Sequence, residues 1–152
     1  MARAPALTAA LALVSLCGAC ALVPPKQPTA APVDLPAAAQ LAAQAYDQQA
    51  WDEAESQYLI LARALPDNTE PWFRLGNIYA RTARPDLAVN AYREALVREP
   101  GNAKAWHNMG IVQLREAASS FEEMQKFIPH DDPLYARSQE LREALDTMLK
   151  GE

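Results

Sequence analysis

Beyond residue 20 this 152-residue chain contains no cysteine, because Cys17 and Cys20 are its only two. Any globular part after that point therefore lacks disulfides, Cys-based zinc sites and a thiol nucleophile. The Cys17-x-x-Cys20 spacing lies inside an apolar N-terminal run with no βαβ pattern around it, which argues against a redox motif. Glycine is scarce, with 5 residues, and no glycine-rich phosphate loop, nucleophile elbow or paired metal-ligand motif occurs. Basic tracts are missing too, and the formal net charge is −5. Phosphate backbones are held mainly by Lys and Arg, so nucleic acid is not an expected partner. What remains is rich in Ala and Leu, which lose little on entering a helix. The 12 prolines are placed unevenly and mark boundaries.

The N-terminus reads as an address followed by a spacer. Arg3 gives a short positive start, Leu7 to Leu16 form an apolar stretch of signal-peptide length, and Gly18 and Ala19 precede Cys20. This resembles a bacterial lipoprotein signal, which implies cleavage after residue 19 and a lipid on Cys20. Leu16 stands one step earlier than the family's usual Leu, whose place is taken by Cys17. Ala21, a residue other than Asp, is compatible in such lipoproteins with sorting to the outer membrane, facing the periplasm. Two alternatives stay open. Ala19-Cys20-Ala21 also suits ordinary cleavage to a soluble periplasmic protein, and the apolar run Ala6 to Val23 lies at the short edge of a membrane span. Pro24, Pro25, Pro28, Pro32 and Pro36 then interrupt any helix, so residues 20–34 read as a lipidated cysteine and an extended tether.

From residue 35 onward a constant step of 34 residues links like positions. Leu41 recurs as Leu75 and Met109, Ala42 as Gly76 and Gly110, and Trp72 as Trp106. Ala54, Tyr58, Leu61 and Pro66 recur as Ala88, Tyr92, Ala95 and Pro100. The fullest copy, Trp72-x2-Leu75-Gly76-x2-Tyr79 followed by Ala88-x3-Tyr92-x2-Ala95-x4-Pro100, resembles the tetratricopeptide repeat. The resemblance implies pairs of antiparallel helices stacked into an all-α solenoid. Repeats are expected over about 35–68 and 69–102, with a degenerate copy over 103–132 and a capping helix over 133–149. In the third copy the small-x3-aromatic feature falls at Ala117 and Phe121, five residues early, and no Gly or Pro lies between Ile111 and Ile128. Apolar or small residues at 106, 110, 113/114, 117, 121, 124 and 128 share one helical stripe, which predicts a single long helix over roughly 103–127. A compressed third repeat with a separate cap is the alternative. Asp132 and Pro133 predict the N-terminus of a last helix with Leu134, Leu141, Leu145 and Met148 inward.

Repeats of this family bind peptides or partner helices on the concave face formed by their first helices. Projecting those positions gives Tyr46, Phe73, Asn77, Arg81, Lys104, His107, Asn108, Ile111 and Arg115 as a candidate partner-binding groove. Asn77 and Asn108 read first as braces between helices and second as ligand contacts. Arg81 and Arg115 also complement helix ends, and His107 also reads as a solvated or partly packed residue. Phe73 stands where a carboxylate-clamping subfamily carries its first Lys, so that clamp does not transfer, and an apolar ligand side chain is expected there instead. His130-Asp131-Asp132 sits between two prolines and reads as turn and cap chemistry. The expected function is a non-catalytic adaptor or assembly factor of the bacterial envelope, with no cofactor or metal, a protein partner, and membrane attachment through the N-terminal lipid. A self-associating structural subunit is the alternative, and an enzyme regulator stands third.

Overall fold

The computed structural model describes residues 34–150. The signal segment, Cys20 and nearly all of the proline-rich tether fall outside the described residues. Six helices follow one another: α1 (Leu35–Asp47), α2 (Trp51–Ala64), α3 (Thr69–Arg81), α4 (Pro85–Arg98), α5 (Ala103–Gln125) and α6 (Pro133–Lys150). Each packs on its sequence neighbour, and α3 also touches α5. The result is the all-α solenoid of helix pairs expected from the repeat, ending in one long helix and a C-terminal helix.

The 34-residue step reappears in the chemistry of the helix ends. Asp34, Asn68 and Asn102 cap α1, α3 and α5, their side chains accepting from the N–H groups of Ala37, Glu70 and Ala105 at 3.0–3.1 Å. Each cap satisfies a backbone donor that has no partner inside the helix. Between paired helices the chain turns through Gln49 (φ 58°) and Ala83 (φ 54°), again one step apart. Both turns close with the same bond across five residues, Ala50 N–H to the Ala45 carbonyl and Arg84 N–H to the Tyr79 carbonyl, each 2.9 Å. This is the Schellman geometry, built here with non-glycine residues in the left-handed region. The position one step further, Ala117, stays helical inside α5, so the third copy never turns.

Small residues set the helix spacing. Ala42, Ala54, Ala88, Ala95 and Ala105 are fully buried, together with Leu75 and Ile78. A Cβ placed on Gly76 would lie 2.5 Å from the Tyr92 ring, so glycine is what lets α4 approach α3 this closely. Two arginines tie the first pair to the second. Arg84 forms a forked pair with Glu55 of α2 (3.2 and 2.6 Å) beneath the Tyr79 ring. Arg98 lies over the Trp72 ring at 5.0 Å and donates to the carbonyl of Pro66 in the α2–α3 turn.

The last two helices depart from the expected pattern in detail. On α5 the buried residues are Ala105, Met109 and Val112, whereas Trp106 is 54% exposed. Trp72 is covered by Arg98 from the helix that folds back over it, and no helix among the described residues folds back over Trp106. Further along, Leu114, Ala117, Phe121 and Met124 are half-buried. On α6, Leu141 and Leu145 are half-buried, but Leu134 and Met148 are exposed, correcting their expected inward placement. The helix is rotated so that Ser138 is its one buried residue, accepting from Gln125 at 2.8 Å and donating to the Tyr135 carbonyl at 2.7 Å. Asp132 caps α6 through the Leu134 N–H at 2.8 Å, and the His130 ring packs tilted against Tyr135, centroids 4.4 Å and planes 54° apart. The trio His130-Asp131-Asp132 thus lies at the turn into α6.

Candidate functional site

The first helices of a helix-pair stack share one face, and here the C-terminal half of α3 faces the middle of α5. Between them lies a trough of about 340 Å³ lined by Asn77, Ala80, Arg81, Tyr92, His107, Asn108, Ile111, Val112 and Arg115. A second hollow, about 490 Å³, adjoins it and shares Ala80, Val112 and Arg115. It is bounded by Ala83 and Pro85 in the α3–α4 turn and by Glu116, Ser119 and Ser120 of α5. This extension exists because α5 is 23 residues long against 13 for α3. At about 1.5 Å per residue, the excess carries α5 roughly 15 Å beyond the length of the shorter helix.

Of the nine positions projected from the sequence, the trough brings together Asn77, Arg81, His107, Asn108, Ile111 and Arg115. Tyr46, Phe73 and Lys104 do not line it. Tyr46 forms edge-on contacts with Trp51 and Tyr58 and sits beneath the guanidinium of Arg74 at 4.8 Å. Phe73 is half-buried and packs toward Tyr92, ring centroids 6.1 Å apart. Lys104 is exposed on the first turn of α5.

At the floor, Asn77 is buried and its carbonyl oxygen accepts twice, from the Tyr92 hydroxyl and from Asn108 Nδ2, both at 2.8 Å. That oxygen has two lone pairs, so its acceptor capacity is used within the protein. The trio joins α3, α4 and α5 at one point. Burial pushes the Tyr92 phenol up to about 12, with Asn108 opposing the shift. Tyr92 is therefore a neutral donor at physiological pH. In the sequence Tyr92 stands out only as a repeat signature position, and nothing there places its hydroxyl at the trough floor. The only hint available was the polar pair, Asn77 and Asn108, carried by the facing first helices.

The rim differs from the floor. Arg81 and Arg115 are exposed, and neither has a carboxylate at ion-pair distance among the described residues. Arg81 is held in place by aromatic rings, 5.9 Å from Tyr46 and 5.7 Å from Trp51. Among the described residues no Asp or Glu lines the 340 Å³ trough, in a chain whose net charge is −5. Ile111, Val112 and Ala80 supply apolar surface between the two cations. Such a surface combines anion binding with shelter for a small apolar side chain. Among the described residues no three His, Cys, Asp or Glu side chains gather where they could hold a metal ion.

Residues 69–112 match the tetratricopeptide repeat family. The matched segment covers α3, α4 and the first half of α5, which are the elements that build the trough. No curated protein matches the chain.

Proposed function

We propose, from the premise of a tetratricopeptide-type solenoid, that this protein is a non-catalytic adaptor of the bacterial cell envelope. It binds an extended, acidic segment of a partner protein in the α3–α5 trough. The observation that supports this reading is Arg81 and Arg115, two exposed arginines with no carboxylate partner among the described residues, flanking apolar surface in a trough whose described lining holds no acid. A charge-assisted bond to a carboxylate is stronger than one between neutral groups, and Arg presents a fork matched to it. Asn108 on the trough lining offers an amide to the backbone of an extended chain. Attachment through a lipid on Cys20, with the proline-rich segment as a spacer, places the trough near the periplasmic face of the outer membrane in this reading.

A photo-crosslinking amino acid at Ile111, compared with one at exposed Arg93 on α4, tests the proposal in intact envelopes. The expected outcome is a discrete adduct from position 111 that disappears in an Arg81→Ser/Arg115→Ser double variant. Adducts from position 93 alone, or an adduct at 111 indifferent to the two arginines, contradict the trough as the binding surface. Radiolabelled fatty acid incorporation, lost in Cys20→Ser, tests the tether separately.

A further inference from the structure

The repeat shows what covers the helix-pair face of a first helix, and on α5 the described residues leave part of that face uncovered. In the preceding copy, α4 lies on α3 with the Tyr92 ring against Gly76 and Arg98 over Trp72. The corresponding residues on α5 are Gly110 and Trp106, one step of 34 later. Nothing among the described residues lies within 4 Å of a Cβ placed on Gly110, and Trp106 is largely exposed. The α6 helix does not fill this place. Its register on α5 is set by the Gln125–Ser138 hydrogen bond. Antiparallel helices advance equally from such a point, so Lys150 lies level with about Gln113. The stretch from Ala103 to about Gln113, roughly 16 Å or three turns, stands beyond the end of α6.

We infer that this stretch is a docking site for an amphipathic helix supplied by a partner protein, which completes the third helix pair in trans. The chemistry of the occupant follows from α4, where Ala88, Tyr92, Ala95 and Arg98 form the facing stripe. Small residues permit close approach, the aromatic ring fills the space over the glycine, and the cation covers the tryptophan face. One difference sets the specificity. The Tyr92 hydroxyl donates to Asn77, but the residue one step on is Ile111, which has no acceptor. A hydroxyl buried there is left without a partner, so the occupant carries phenylalanine rather than tyrosine. The partner helix therefore reads Ala-x3-Phe-x2-Ala-x2-Arg.

The probe is a labelled peptide with the sequence of residues 86–99, carrying Phe at the place of Tyr92 and stapled on its outward face, because short free helices are marginal in water. Fluorescence anisotropy against the full chain is expected to show saturable binding, with a blue shift of Trp106 emission that is lost in Trp106→Phe. Gly110→Leu fills the space meant for the ring and is expected to weaken binding at least about tenfold, equivalent to about 1.4 kcal/mol. Circular dichroism controls for folding in that variant, and no described residue lies within 4 Å of the new Cβ. Restoring Tyr in the peptide is expected to weaken binding, and Arg81→Ser in the protein to leave it unchanged. Absence of saturable binding, equal binding by Gly110→Leu, or equal affinity of the Tyr and Phe peptides overturns the inference. A concentration-dependent dimer in sedimentation that Gly110→Leu abolishes also overturns it, by assigning the site to a second copy of the chain.

Discussion

Replacing Gly76 by alanine adds one methyl group, and so does replacing Gly110, yet the two changes are expected to move stability in opposite directions. Both glycines lie inside helices at equivalent repeat positions, so each substitution gains about 1 kcal/mol of helix propensity. At Gly76 the new Cβ meets Tyr92 Cδ1 and Cε1 at 2.5 Å and Cζ at 2.9 Å. Carbon atoms in good contact sit about 3.5–4.0 Å apart, so the ring must retreat by roughly 1 Å. It has nowhere to go, being 1% exposed and fixed at its hydroxyl by Asn77. Overpacking of this kind costs about 1–3 kcal/mol, and displacing the hydroxyl loses a buried hydrogen bond worth about 1 kcal/mol more. The net expectation is destabilisation by about 1–3 kcal/mol for Gly76→Ala and stabilisation by about 1 kcal/mol for Gly110→Ala. Urea unfolding of the full chain, followed by far-ultraviolet circular dichroism, gives both numbers from shifts in the midpoint at constant slope. Equal and favourable shifts for the two variants would refute the argument that α4 requires glycine at the first position and that nothing opposes a side chain at the second.

Two further outcomes follow from the same geometry. Ala83→Gly relieves a left-handed alanine on the surface and is expected to raise stability by about 1 kcal/mol, read as a higher unfolding midpoint. Stability is also expected to fall as pH rises above 10. Burial raises the phenols of Tyr92, Tyr58 and Tyr79, so the unfolded chain ionises first. The contribution of these phenols to stability is complete below the unfolded value and is lost as pH climbs through the folded one, about 12 for Tyr92. For Tyr92 the loss is at most about 1.4 kcal/mol per pH unit in that window, and Tyr92→Phe should flatten the slope of midpoint against pH.

Much of the architecture was legible because a repeat writes each contact more than once. The step of 34 residues carried the resemblance to the tetratricopeptide repeat, which implied the helix pairs, and the missing turn in the third copy predicted a long α5. The caps at Asp34, Asn68 and Asn102 obey the same step but were not picked out, because a capping side chain looks like any loop Asn or Asp until the helix start is fixed. The turns at Gln49 and Ala83 were not readable, since neither residue announces a left-handed backbone; their place came only from the spacing of the helices around them. The candidate site divided along similar lines. The positions implied by the repeat family's concave face put Asn77, Arg81, Asn108, Ile111 and Arg115 on facing helices. They could not tell that Asn77 spends its carbonyl on Tyr92 and Asn108, or that Phe73 turns toward Tyr92.

Sequence alone determined the fold class, the repeat length and the charge of the chain, because periodic patterns and composition are local quantities. The tertiary structure decided which groups are spent and which are left over. Where α4 returns along α3, Gly76, Tyr92 and Trp72 are consumed by packing. Where α5 runs on and α6 returns only partway, Gly110 and Trp106 carry the same signature and are left uncovered by the described residues. Identical residues thus acquire different roles because burial depends on which helix lies opposite, and that depends on where the chain turns.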